Sequence, residues 1–353
     1  MPRDPAPASC LPRQDEHATH SDVGEHGLGM QRLSLAQLRQ WQNLGYGMFI
    51  TYGMNTYEGV EQSLGMQPPT FFAPDKLDVK QWVAVARDAG MKYVVLTAKH
   101  SGGYCLWPSE HTDYHVGNSA IRVDIVEEFV KACEQCQIMA GLYYCTWDNH
   151  HLYGSQTPST ATNPAEVFTT PEYRDFQARQ IEELLTRYGP WGEVWVDIAR
   201  LLGDEGRKRQ YQQIARLTPN APILMNSYFG DGSEVRMQEQ WPTDLMPVEQ
   251  RMPYTPRRQN CYSPWYQVKH AGNEGMYYIP AEVCMTLGTY WFWHDHDGVR
   301  SEQELLAMRL ICHQLDINFL LNIPPNRQGM IAPKHISALT RLARLWDQLG
   351  LHR

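Results

Sequence analysis

PEYRDFQARQIEELLTRYGPWGEVWVDI, residues 171–198, holds a helix and a strand in a single line. Pro171 stands where a first helical turn tolerates it, and Gly189 stands past the end. Tyr173, Phe176, Ile181, Leu184, Leu185 and Tyr188 recur at helical spacing and fall on one side. After a short turn, EVWVDI (193–198) is a compact apolar run, which predicts a strand covered on both faces. The same unit recurs in both directions. Upstream, LDVKQWVAVARDAG (77–90) precedes the strand KYVVLTAKH (92–100), and a helix over 124–137 precedes IMAGLYYCTW (138–147). GYGMFITYG (45–53) supplies the first strand. Downstream, a helix over 204–217 leads into APILMNS (221–227), and DLMPVE (244–249) reads as a sixth strand. EVCMTLGTYWFW (282–293) contains a seventh. SEQELLAMRLICHQ (301–314) opens with a Ser-x-x-Glu capping box, and INFLLNI (317–323) is an eighth strand before a last helix over 334–350.

Strands alternating with helices in that number define an α/β chain and predict a single-domain (β/α)8 TIM-type barrel over residues 31–353. Residues 1–30, rich in Pro, His, Asp and Gly, read as a flexible leader, and 228–280 is irregular. An open doubly wound sheet is the competing topology, but no Gly-rich phosphate loop follows the first strand.

Composition narrows the function. The chain has 353 residues, 42% hydrophobic and 20% charged, which suits a globular protein with a large core. Its net charge of -8 and lack of a basic stripe argue against nucleic acid or an anionic membrane as partner. No apolar run is long enough to span a bilayer, and the N-terminus has no continuous apolar segment of the signal-peptide kind, so a cytoplasmic location is expected. Eleven Trp and 19 Tyr can fill a core, and they also suit a sugar pocket, where rings cover C–H faces. Of the eight cysteines, Cys133 and Cys136 have redox or metal spacing, but they fall within an amphipathic helical pattern with no second pair, as free thiols would.

Catalytic side chains of a barrel gather at the C-terminal ends of its strands. Those ends here carry Thr51, His100, Trp147 with Asp148, Asp197, Asn226, Glu249, Trp291 and Asn322. Asp197 closes the buried run Val194-Trp195-Val196, where a carboxylate is costly unless paired or used. It could instead cap the next helix or pair with Arg200. Glycoside hydrolysis needs a second carboxyl across the scissile bond. Glu249 and Glu282 are the candidates, and either also suits a sugar hydroxyl.

At this point the sequence resembles the α-L-fucosidase family of glycoside hydrolases, family 29. The resemblance rests on GMFITYGMNTYEG (47–59), FFAPDKLDVKQWVAVARDAGMKYVVLTAKHSGGYCLWPS (71–109), DIVEEFVKAC (124–133), GLYYCTWDNHH (141–151), QIEELLTRYGPWGEVWVDIA (180–199) and INFLLNIPPNRQGMI (317–331), in order along most of the chain. It implies a retaining double displacement without metal or cofactor, with Asp197 as nucleophile. WPTDLMPVEQRMP (241–253) is similar to the segment that carries the acid/base in part of the family, which favours Glu249 over Glu282. His100, Tyr144, Trp147, Trp195, Asn226 and Trp291 then become expected substrate contacts, and a small oligosaccharide or glycoside the expected partner, with room left for a homo-oligomer.

The departures bear on the substrate. Thr51 stands where the family's first strand usually ends in His, and Lys99-His100-Ser101-Gly102-Gly103 keeps one His of a usual pair. Ile198 replaces the Gly that normally follows the nucleophile, and Asn226-Ser227-Tyr228 lacks the customary Arg. Only one helix follows the eighth strand, where the resemblance implies a β-sandwich. A pocket stripped of such donors should read a different sugar, because specificity comes from satisfied buried polar groups. The expectation is an exo-acting α-glycosidase for L-fucosides or a relative such as an α-L-galactoside. A catalytically silent sugar-binding barrel is the alternative. A metal-dependent hydrolase built on His150, His151, His294 and His296 lacks zinc-like spacing.

Overall fold

The computed structural model describes residues 31–152, 169–227, 234–252, 262–270 and 272–351. The leader expected at 1–30 lies outside them. Helix α1 (Leu35–Gln42) starts at Ser34, whose Oγ accepts the Gln37 N–H at 3.2 Å, and leads into β1 (Tyr46–Ile50). A short α2 (Met54–Glu58) and then α3 (Val79–Asp88) connect to β2 (Tyr93–Lys99). The next units are α4 (Ile125–Cys136) with β3 (Met139–Cys145), α5 (Pro171–Arg187) with β4 (Glu193–Asp197), and α6 (Gly203–Leu217) with β5 (Ile223–Asn226). A short α7 (Glu234–Gln240) precedes β6 (Met246–Glu249). Here the helical rhythm breaks, and an antiparallel pair, β7 (Trp265–Val268) and β8 (Gly275–Tyr278), stands where a helix would connect to β9 (Ala281–Thr286). Finally α8 (Glu302–Gln314), β10 (Asn318–Asn322) and α9 (Pro333–Gln348) complete the chain.

All neighbouring strands of the main sheet are parallel, in the order β5-β4-β3-β2-β1-β10-β9-β6. Its two edges, β5 and β6, face each other and leave a nearly closed eight-stranded barrel. Among the described residues no strand ladder joins them. Side chains of the turn before β6 stand in for it. Asp244 Oδ2 accepts the Ile223 N–H at 2.9 Å, the Asp244 N–H donates to Ile223 O at 2.8 Å, and Thr243 Oγ1 accepts the Met225 N–H at 3.1 Å. Arg32 ion-pairs with the same Asp244 oxygen and donates to Ala221 O at 2.7 Å, which ties the start of the described chain to the seam.

Alternation sorts the side chains, because successive strand residues point to opposite faces. Along β4, Val194 and Val196 belong to the layer between barrel and helices, while Trp195 joins Phe49, Tyr93, Val95, Tyr143, Leu224, Cys284 and Leu320 inside the barrel. Cys133 and Cys136 are free thiols on α4. No helix is long and apolar enough to cross a membrane among the described residues.

Because Asp244 is buried and satisfies backbone groups that no neighbouring strand reaches, its loss should uncouple the seam. Asp244→Ala should cost about 3 kcal/mol, the scale of a buried charged partner removed. Urea unfolding checks this, and an unchanged midpoint would refute the role given to the seam.

Candidate active site

The inward positions of the strands put three kinds of side chain at successive depths. At the N-terminal end of the barrel lie Glu193 and Glu282; in the middle lies the aromatic cluster; at the C-terminal end lie Asp197, Asn226 and Glu249. A pocket of about 300 Å³ opens at this last level, lined among others by Phe49, Thr51, His100, Tyr143, Trp147, Trp195, Asp197, Asn226, Glu249 and Trp291.

Asp197 and Glu249 come from β4 and β6, and Asn226 on β5 stands between them. Its single amide nitrogen donates to Asp197 Oδ1 at 2.8 Å and to Glu249 Oε2 at 3.0 Å. These two oxygens are therefore no more than about 6 Å apart, short of the roughly 6.5–9.5 Å at which a water fits between inverting carboxyls. Tyr143 Oη donates to the other Asp197 oxygen at 2.6 Å. Burial raises the Asp197 carboxyl above its ordinary range, while Tyr143, Asn226, the Ile198 N–H and the Arg200 charge pull it back. Glu249 has less support, from Asn226 and the Arg251 charge. Burial and then the Asp197 charge push it up to about 7, so it holds a proton when its neighbour is ionised. Environments that push two carboxyls apart in this way assign an acid and a nucleophile. The chain turns left-handed directly after both groups, at Ile198 (φ 52°) and Gln250 (φ 51°). Asp197 does not cap the turn that follows it, Ala199–Leu202.

The walls are aromatic. Trp195 packs on Phe49 with ring centroids 5.7 Å apart, and Trp291 meets Phe49 edge-on at 6.0 Å. His100 stacks on Tyr143 at 5.9 Å, and its Nδ1 lies 3.1 Å from Ser101 Oγ. Burial lowers the His100 imidazole to about 4, which leaves it neutral near pH 7. Thr51 turns its hydroxyl to Asn322 Oδ1 at 2.6 Å. Tyr228 lies outside the described residues.

Two expected site residues are elsewhere. Tyr144 points out of the barrel, where its hydroxyl takes a hydrogen bond from Lys99 Nζ at 2.9 Å and donates to Gln180 at 2.7 Å. Strand alternation puts its neighbour Tyr143 in the pocket instead. Lys99 there forms a fully buried ion pair with Asp148 at 2.6 Å, which removes Asp148 from the strand-end candidates. Glu282 is the second correction. It opens β9 at the far end of the barrel, fully buried, and accepts Trp195 Nε1 at 2.8 Å and Tyr93 Oη at 2.6 Å. It is outside the pocket and cannot reach a glycosidic oxygen there. Its partner in depth is Glu193, which accepts Trp41 Nε1 at 3.0 Å.

Several lining residues carried no signal in the sequence. Glu61 and Gln62 reach the pocket from the loop after α2, and Glu61 Oε2 accepts the Trp291 N–H at 2.9 Å. Phe49, Thr97, Tyr143 and Cys284 are strand positions whose facing a continuous apolar run does not reveal. Arg200 brings a cation to the rim from the β4 loop. The four histidines of the metal alternative serve other partners: His150 stacks on Tyr114 at 3.9 Å, His151 pairs with Asp148, His294 with Glu61, and His296 meets the Tyr290 ring edge-on at 5.8 Å.

The sequence pattern of the alpha-L-fucosidase family matches residues 27–350. The chain belongs to that family. Alpha-L-fucosidase 1 of Arabidopsis thaliana is 32% identical over 332 residues, 90% of this chain and 61% of that protein. The chain thus spans about three fifths of that plant relative. Alpha-L-fucosidase isoenzyme 1 from Paenibacillus thiaminolyticus superposes with a TM-score of 0.71 at 26% identity, covering 89% of this chain and 76% of that one. A glycoside hydrolase 29 family member from an unknown rumen bacterium gives 0.70 at 27% identity, covering 90% and 57%. Both contain the same barrel.

The deep carboxyl pair has a measurable consequence. Burial raises Glu282 from 4.5 to about 7, and burial with the Glu282 charge lifts Glu193 well above its usual range. A carboxyl with a raised folded value contributes stability that is fully present below its unfolded value and lost as pH rises through the folded one. Glu282→Gln has no such proton to lose. Between pH 5 and pH 8 its unfolding midpoint should fall less than that of the wild type, and equal falls would refute the assignment.

Proposed function

We propose that this protein is an exo-acting, retaining α-glycosidase that hydrolyses terminal α-L-fucosides or a close relative such as an α-L-galactoside. The observation that carries this reading is the Asp197–Asn226–Glu249 bridge, a carboxyl pair held close in a pocket with aromatic walls. Family membership supports the sugar class. A pocket of about 300 Å³, at the small end of ligand sites, suits one terminal ring.

In this mechanism ionised Asp197 attacks the anomeric carbon as Glu249 passes its proton to the leaving oxygen. The glycosyl ester on Asp197 is then opened by a water that Glu249, now ionised, deprotonates. Tyr143 and Asn226 hold the attacking carboxylate still, and the neutral His100 offers a ring nitrogen to the sugar without adding charge. The lost family donors at Thr51, Ser101 and Tyr228 favour a sugar read by fewer hydrogen bonds.

Asp197→Ala should abolish turnover of an aryl α-L-fucoside while the protein stays folded by circular dichroism. Full activity in that variant would sink the site assignment. Glu249→Gln should lower kcat/KM by about 10²–10⁴ on substrates with poor leaving groups. Since Glu249 must be protonated to act as acid, wild-type kcat/KM should decline as pH rises through about 7. Binding of fucosides with no hydrolysis across an aryl-glycoside panel would mark a silent sugar-binding barrel instead.

A further inference from the structure

Ile198 is the residue directly after Asp197, and its backbone sits at φ 52°, ψ 36°. A left-handed conformation is ordinary for Gly and a genuine outlier for a β-branched residue, whose Cβ crowds the following carbonyl. Strain of this kind persists only where the surroundings enforce it, and it gathers at functional sites. The carbonyl of Ile198 is fixed by the Leu201 N–H at 3.1 Å, its N–H serves Asp197, and its strand partner positions end one residue earlier. The turn therefore cannot relax without moving the nucleophile.

The strained side chain faces the pocket as well as the core. Ile198 is half-buried, lines the pocket, and lies against the same inner cluster as Trp147, Trp195 and Trp291. A reacting carbon must come within about 3–3.5 Å of an Asp197 oxygen. A sugar ring so placed is adjacent to the residue that shares a peptide bond with the nucleophile. Ile198 presents four carbons there and no hydrogen-bonding atom. A hydroxyl facing it loses its water and gains no partner, whereas a C–H or methyl group meets a matching surface.

We propose that Ile198 is a specificity-determining residue, a strained apolar wall beside the nucleophile that excludes sugars carrying an extra hydroxyl on that side. The proposal rests on the glycosidase reading given above. The site then discriminates by what it refuses, because a family position open to the smallest side chain is filled here.

Two variants test it. Ile198→Gly and Ile198→Ala both empty the wall, but only Gly suits the left-handed backbone. The substrates are an aryl α-L-fucoside and the matching aryl α-L-galactoside, which differs by one hydroxyl. In both variants the galactoside-to-fucoside ratio of kcat/KM should rise at least about tenfold over wild type, within the roughly hundredfold by which apolar pockets reject added hydroxyls. Ile198→Gly should also melt about 1–3 °C above Ile198→Ala. An unchanged ratio in variants that still hydrolyse the fucoside overturns this inference and leaves the glycosidase reading standing. So does a Gly variant that melts no higher than the Ala variant. A wild type inert toward both glycosides overturns both readings together.

Discussion

Two carboxyl groups confined to one end of a narrow barrel repel each other, and the barrel closes around them only if something with hydrogens to give stands between. Nδ2 of Asn226 fills that place, with one hydrogen directed to Asp197 and one to Glu249. Much of the site's design follows from this arrangement. The amide is neutral, so it screens the pair without cancelling the difference between them. Asp197 gains further donors in Tyr143 and the Ile198 N–H and feels the Arg200 charge, and Glu249 gains only the shared amide and the Arg251 charge. The unequal support, rather than any difference in burial, sets the two carboxyls apart, as the roles proposed for them require.

The barrel itself was legible because eight short apolar runs alternate with helical periods, and the runs from 45–53 to 317–323 each overlap an observed strand. What periodicity could not show was direction. A strand covered on both faces reads as a continuous apolar run, so Tyr143 and Tyr144 look equivalent until pairing with β2 and β4 fixes which one faces in. Glu282, the second choice for the acid, falls away for a related reason. Its chemistry suits a catalytic acid, but it opens its strand, and in a parallel barrel the opening residue lies at the wrong end. The β7–β8 hairpin escaped notice because four-residue strands have too few positions for a period to emerge.

The interior also shows how a family scaffold absorbs change. At its closed end, Glu193 and Glu282 are held by indole and phenol donors from Trp41, Trp195 and Tyr93. Trp195 spans the distance, with its N–H on the deep pair and its ring in the pocket. The departures from the family pattern at Thr51, Ser101 and Ile198 all lie toward the open end, where Thr51 and Ile198 line the pocket and Ser101 is buried beside His100.

The seam between β5 and β6 gives the active site an unusual mechanical setting. Asp244 and Thr243 rivet its lower end to Ile223 and Met225, while its upper end is crossed by the Asn226–Glu249 hydrogen bond. Everywhere else around the circumference, backbone ladders fix the spacing of neighbouring strands. Among the described residues the barrel is thus laced by backbone ladders except along the line that separates Asp197 and Asn226 from Glu249. It resembles a split collar, with Asn226 on one jaw, Glu249 on the other, and a side-chain hydrogen bond as the clasp between them.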